Sequence, residues 1–228
     1  MIEELLPDSV VAVELRGDDA IQEFPLYPEE EALMVRAVAK RRREFSSVRL
    51  CARRAMEKLD VPAQPIVPGD SGAPRWPDGV VGSMTHSDGY CAAALVRAAD
   101  LASLGIDAEP DEPLPGEVVS YVFLPSERER LRRLAEERPA VHWDRILFSA
   151  KESVYKAWFP LTGKWLDFSE ADIQLHADPG EPPHGRLHAE LLVPGPWVGD
   201  RRVQRFEGRW SVRQGVVTTA VAVPHADG

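Results

Sequence analysis

At 228 residues, 44% hydrophobic and 28% charged, the chain has the make-up of an ordinary globular protein, large enough for one domain or two small ones packed together. Its net charge of −10 argues against a general nucleic-acid binder, which carries a basic face, and no apolar run reaches the ~20 residues of a membrane-spanning helix. Cys51 and Cys91 are the only cysteines, too few for a disulfide scaffold and without metal-ligand spacing. The acidic amino terminus has no basic region before an apolar stretch, so a reducing cytoplasm is the expected setting.

In chain order, residues 9–15 alternate as a strand does. From about Pro28 to Leu59 the pattern is helical, with Phe45, Val48, Ala52, Ala55, Met56 and Leu59 forming one apolar stripe. Residues 36–54 within it hold eight Arg or Lys against one Glu, a local positive patch on an acidic protein that suits a compact polyanionic ligand. Five prolines and two glycines make 61–78 a loop. Strands follow at 79–86 and 90–97, joined by Ser87-Asp88-Gly89, with a third near 102–109. Residues 110–116 are the best boundary between parts, dividing the chain into 1–110 and 111–228. Ser126 and Glu129 read as a capping box opening a helix to about Glu137. A second helix starts near Ala140, carries Trp143, Leu147, Ala150, Val154 and Trp158, and is expected to stop before Pro160. Residues 178–186 read as loop, then strands at 187–193, 203–212 and 215–223, the last two joined near Gly215. Each part is helix followed by a small antiparallel β unit, so the expected class is α+β.

Four places carry candidate chemistry. Asp107 and Glu109 alternate along a strand and share a face, either as two acids on a solvated edge or as oxygen ligands for a hard divalent ion. Glu152 and Lys156 lie four apart on a helix, as do Lys151 and Tyr155. An exposed ion pair would give that spacing, but apolar flanks (Ile146-Leu147-Phe148 and Trp158-Phe159) imply partial burial, and a buried Glu needs a partner. His86, at a strand end with Thr85 beside it, either caps a turn or meets an anion. Arg41 and Arg49 flank the apolar stripe about 40° to either side of Phe45, placed to snorkel or to clamp an anion, whereas Arg43 and Arg54 point to solvent. Together the four supply what phosphoryl transfer requires.

The segments Gly82-Ser83-Met84-Thr85-His86, Gly105-Ile106-Asp107-Ala108-Glu109 and Phe148-Ser149-Ala150-Lys151-Glu152-Ser153-Val154-Tyr155-Lys156-Ala157 resemble, in order, the signatures of Sfp-type 4′-phosphopantetheinyl transferases. Arg42-Arg43-Glu44-Phe45 through Arg49-Leu50-Cys51-Ala52-Arg53 resembles the arginine helix of the enterobactin- and mycobacterial-type branch. The resemblance implies two similar α/β halves about a pseudo-twofold axis, with coenzyme A and Mg²⁺ (or Mn²⁺) in the cleft between them and a monomer as the working state. It implies transfer of phosphopantetheine to a serine of an apo acyl or peptidyl carrier protein. By the same resemblance Asp107, Glu109 and Glu152 hold the metal, and Glu152 and Lys156 are catalytic. Thr85 and His86 meet the 3′-phosphate of coenzyme A, Arg41 and Arg49 its nucleotide phosphates, and Lys151 and Lys156 its pyrophosphate. Relatives often carry a lysine in the loop that is Gly69-Asp70-Ser71-Gly72 here; Arg75 is the available substitute. The carrier would meet the basic helix or an apolar patch near Trp158 and Phe159. Two competing readings use the same residues: a Mg²⁺-dependent phosphodiesterase acting on coenzyme A or a loaded carrier, and a coenzyme A-binding scaffold without turnover.

Overall fold

The structure, a computed structural model, describes residues 1–69 and 72–225, among which are five α-helices and ten strands. In the first part β1 (Val11–Arg16), β2 (Val80–Ser87) and β3 (Tyr90–Arg97) form an antiparallel sheet in the order β1-β3-β2. The expected single helix over 28–59 is two, α1 (Pro28–Met34) and α2 (Ala39–Lys58), because Val38 is extended. The break lets α1 fold back on α2 and bury Glu30, whose carboxylate takes Arg53 Nη1 at 3.0 Å and the Ile66 N–H at 2.9 Å. A buried carboxylate requires such partners.

Strand β3 is apolar on both faces. Cys91, Ala93 and Leu95 pack against α2, while Ala92, Ala94 and Val96 meet Leu104, Ile106 and Ala108 of β4 (Ser103–Pro110). That alternation explains a run of small and branched side chains with no polar break.

The second part is an antiparallel sheet in the order β4-β10-β9-β6-β5, made with β5 (Ala171–Ala177), β6 (His184–Leu191), β9 (Arg205–Arg213) and β10 (Val216–Val223); β7 (Trp197–Val198) and β8 (Arg201–Arg202) pair separately. The turn at Gln214-Gly215 has both residues at positive φ, 52° and 76°, the geometry of a tight hairpin. Helix α3 (Gly116–Val122), which lacks a clear periodic signal, precedes α4 (Pro125–Glu137) and α5 (Trp143–Thr162). The start of α4 is held by Glu127, whose carboxylate accepts the Leu124 N–H at 2.9 Å. Ser126 therefore lies inside the helix, its hydroxyl on Asp172, and does not cap it. Helix α5 runs through Pro160 and stops at Gly163, left-handed with φ 63°; a proline near a helix end removes only a terminal rung. Strand β5 went unexpected, and β6 begins inside the expected 178–186 loop. The outer edge of β5 is covered by α4, with Glu127 accepting the Ile173 N–H at 2.8 Å and Arg130 donating to the Ile173 carbonyl, which keeps that edge from pairing elsewhere.

Strand β4 is the seam. Its ladder is with β10, although the division at 110/111 leaves it with the residues before it. Its other edge meets β2 through hydroxyls: Ser83 and Thr85 accept the N–H groups of Ile106 and Ala108, each at 3.0 Å. One face of β4 lies under α5, and the two march together. Ser103 donates to the Ala157 carbonyl at 2.6 Å, Asp107 accepts from Ser149 at 2.8 Å, and Glu109 accepts from Arg145 at 2.9 Å. Between them stands Gly105, where an added Cβ would fall 2.0 Å from the Ser153 carbonyl oxygen and 2.7 Å from the Ala157 nitrogen. Only glycine permits this approach. Gly105→Ala is expected to force α5 off β4, lowering stability by about 1–3 kcal/mol and turnover about 100-fold. Thermal melts and steady-state kinetics on the one variant read both.

Candidate active site

The close approach brings acids from β4 and α5 to one place. Asp107 is 5% exposed and fully engaged on one oxygen: Lys156 Nζ lies 2.7 Å and Thr85 Oγ1 3.3 Å from Oδ1. Lys156 also donates to the Ile106 carbonyl at 3.0 Å. Glu109 is bound by Arg145, which is itself anchored to the Glu112 and Pro113 carbonyls. Glu152, partly buried, has no hydrogen-bond or ion-pair partner among the described residues. Burial first, and then the charge of Asp107, push the carboxyls of both Glu109 and Glu152 above the ordinary carboxylate range, opposed by Arg145 and then Lys156 at Glu109 and by Lys156 at Glu152. Two glutamates whose carboxyls the Asp107 charge disfavours make a place where a cation would bring relief. Among the described residues no group of three or more His, Cys, Asp or Glu side chains is placed to hold a metal ion as it stands. The donors are nonetheless the hard oxygens that suit Mg²⁺, and Glu152 is the group left without a counter-charge.

Next to these acids, on the other side of β2, a cavity of about 440 Å³ opens among Arg41, Arg49, Thr85 and His86, walled by α2 and by Pro68, Gly72 and Pro74. Arg41 is half exposed, its Nη1 3.5 Å from His86 Nε2, and both sit near Glu44. Burial lowers the pKa of His86; Glu44 opposes this, while Arg41 and then Lys156 add to it. Arg49 is more committed. Its guanidinium stacks 3.1 Å from the Phe45 ring centroid and donates to the Ile66 and Phe45 carbonyls. Burial brings its pKa down to about 10, so it stays charged at neutral pH. Thr85 gives its one proton to Asp107 and so belongs to the carboxylate cluster as much as to the cavity. Of the 69–72 loop, residues 70 and 71 lie outside the described residues; Arg75 is placed by its own N–H on the Val67 carbonyl.

Lys151 is a correction. It does not face a pyrophosphate: its ammonium is buried, 2.9 Å from Glu127 and 2.7 and 2.9 Å from the Phe168 and Ala171 carbonyls. All three of its protons are used there. Burial pushes Lys151 down and Glu127 up, each towards neutrality. Trp158 is core, its indole N–H on the Lys164 carbonyl, while Phe159 stacks on Tyr155 at the surface. Beside Glu152, Tyr155, Trp165 and Phe168 line a small cavity of about 70 Å³. Sequence reasoning did not single out Trp165, Arg145 or Ser149, although Ser149 lies within a motif already noted.

Two family models match the chain: the 4′-phosphopantetheinyl transferase N-terminal domain over residues 29–96, and the 4′-phosphopantetheinyl transferase superfamily over residues 103–192. The chain is 56% identical over 226 residues to 4′-phosphopantetheinyl transferase Svp of Streptomyces mobaraensis, covering 98% of this chain and 89% of that one. The chain belongs to the 4′-phosphopantetheinyl transferase superfamily. It is 47% identical to the transferase PptT of Mycobacterium tuberculosis, over 86% of this chain and 85% of PptT. It is 45% identical to the transferase Npt of Nocardia iowensis, over 97% and 99%. The junction between the two matched regions of this transferase-family chain falls before β4, on the side its ladder favours. No helix of the described residues is long and apolar enough to cross a membrane.

The burial of Lys151 has a measurable consequence. Lys151→Met leaves Glu127 charged in a dry site, and a loss of about 3–5 kcal/mol is expected. Calorimetry and coenzyme A titration on the same sample check it: stability falls, while any folded fraction binds coenzyme A as the unaltered protein does. The opposite pattern would return Lys151 to the ligand.

Proposed function

We propose that this chain transfers the 4′-phosphopantetheine arm of coenzyme A to a serine of an apo acyl or peptidyl carrier protein, releasing adenosine 3′,5′-bisphosphate. The observation that carries the reading is the Asp107–Lys156 contact with Glu152 one turn away on α5, a carboxylate and a cation poised together at the edge of an Arg- and His-lined cavity. The chain works as a monomer in the cytoplasm, built as two similar halves about a pseudo-twofold axis, and coenzyme A lies in the cleft between them.

In this reading the cavity receives the nucleotide end, with His86 and Arg41 on the 3′-phosphate side and Arg49 fixing the wall. Asp107, Glu109 and Glu152 would hold a Mg²⁺ ion, which would supply neutralisation of the pyrophosphate charge and polarisation of the reacting phosphoryl group. Glu152 would take the proton from the carrier serine, directly or through water. The serine oxygen then bonds to the β-phosphorus as the bond from that phosphorus to the bridging oxygen breaks. Lys156, held by Asp107 and the Ile106 carbonyl, has its remaining proton for the leaving α-phosphate, where negative charge grows. The three relatives are all described as transferases, and nothing comparable favours hydrolysis.

Incubation with coenzyme A, magnesium and an apo carrier tests it. The carrier is expected to gain the mass of one phosphopantetheine; free phosphopantetheine with an unchanged carrier would support a phosphodiesterase instead. Asp107→Ala and Glu152→Gln are expected to reduce transfer more than 100-fold while remaining folded by circular dichroism, in line with the loss of charged groups at a transition state. For Lys156→Ala the fall is in kcat, with modest change in coenzyme A affinity.

A further inference from the structure

Beneath Asp107 lies a set of buried hydroxyls that the transfer reaction does not call on. Thr219 of β10 stands directly across from Asp107 in the β4–β10 register. Ser149 and Ser153 reach down from α5, and all three hydroxyl residues are fully buried. Ser149 Oγ lies 2.8 Å from Asp107 Oδ2. Thr219 Oγ1 lies 2.9 Å from the Ser149 carbonyl, and Ser153 Oγ lies 2.6 Å from Thr219 Oγ1.

Each hydroxyl has one proton to give, and that decides the directions. A carbonyl only accepts, so the Thr219 proton points at Ser149 O. A carboxylate only accepts, so the Ser149 proton points at Asp107. The Ser153 proton is left for Thr219, on Oγ1 or on the Thr219 carbonyl at 3.2 Å. With either acceptor for Ser153 every member is satisfied, and the chain ends on Asp107.

The carboxylate itself has about four lone-pair sites. Lys156 and Thr85 fill the two on Oδ1, and Ser149 fills one on Oδ2. One site remains, on Oδ2. We propose that Ser149, its hydroxyl held 3.0 Å from Thr219 Oγ1 and Thr219 in turn by Ser153, is a positioning residue that sets the rotation of the Asp107 carboxylate and leaves this last lone pair free for a divalent cation. The inference rests on the metal role given to Asp107 in the proposed function and adds the group that aims it.

The test is Mn²⁺ binding to the full chain with coenzyme A present, read from the electron paramagnetic resonance of free Mn²⁺, and needs no turnover. Ser149→Ala is expected to weaken Mn²⁺ about tenfold, the range seen when groups that orient a ligand are removed. Thr219→Val, which keeps shape and removes the hydroxyl, should weaken it in the same direction, and Thr219→Ser should return it to within about twofold of the unaltered protein. A merely structural role would lower the melting temperature of all three without ordering them by hydroxyl content. If Ser149→Ala does not fold, the two Thr219 variants decide. Wild-type Mn²⁺ affinity in folded Ser149→Ala or Thr219→Val overturns the proposal, as does an unaltered protein that binds no Mn²⁺. An unaltered protein that binds Mn²⁺ with this hydroxyl dependence but modifies no carrier would keep the inference and sink the transferase reading.

Discussion

The contact at Gly105 decides where everything else in the site can be. With no side chain there, the α5 backbone at Ser153 comes to lie where a Cβ would be. A strand repeats its facing side every two residues, a little under 7 Å, and a helix turn rises 5.4 Å. An antiparallel helix laid this closely can therefore stay nearly in step with β4 for several turns. Ser103, Gly105, Asp107 and Glu109 meet Ala157, Ser153, Ser149 and Arg145 in turn, each one helical turn further towards the start of α5. A bulkier residue would separate the elements by more than a hydrogen bond can span, and the acids of β4 would lose α5.

The seam matters equally on the other edge. Ser83 and Thr85 stand in for a missing ladder, accepting the Ile106 and Ala108 N–H groups that a neighbouring strand would otherwise take. A buried strand edge must satisfy those groups somehow, and here hydroxyls do so. The Arg41–His86 cavity takes Met84, Thr85 and His86 of β2 into its wall, with residues of α1 and α2 making up most of the rest. The cation on its wall depends in turn on a buried acid: Glu30 lies 3.7 Å from Arg49 and 3.0 Å from Arg53, so the fold of α1 onto α2 also fixes the Arg49 guanidinium at the cavity wall. Local positive charge on a chain of net charge −10 is achieved by this pairing, which spends some arginines on structure and leaves others facing the cavity.

Much of this was legible beforehand. The hairpin of β2 and β3 shows in its Ser-Asp-Gly turn, β4 in its alternation, and the helix of 140–158 in its apolar spacing. The acids show for different reasons: Asp107 and Glu109 share a face two apart on a strand, while Glu152, four residues from Lys156, lies on a helix whose apolar flanks imply partial burial. What stayed hidden depended on distant partners. The break between α1 and α2 follows from Glu30 meeting Arg53 and Ile66, which periodicity along the chain does not carry. The cap of α4 went to Glu127, an acid whose other oxygen holds the edge of β5, so a local rule about Ser126 lost to a tertiary contact. Helix α3 is short and mixed in pattern. Strand β5 is the exception: Ile173 and Leu175 alternate with Asp172, Gln174 and His176 plainly enough to have been read.

Lys151 shows how a motif misleads when taken as a line. Lys151 and Glu152 are neighbours in sequence, but on a helix they diverge by about 100°. Taking Ser153 as the direction of the Gly105 contact, Lys156 falls ~60° and Glu152 ~100° to one side, whereas Lys151 falls ~160° away. Any helix docked on β4 through Gly105 must send Lys151 towards the interior of the second sheet's layer, where it needs a buried acid and finds Glu127. The phase of α5 follows from one glycine, and that phase separates the residues facing the chemistry from the residue that ties α5 to α4.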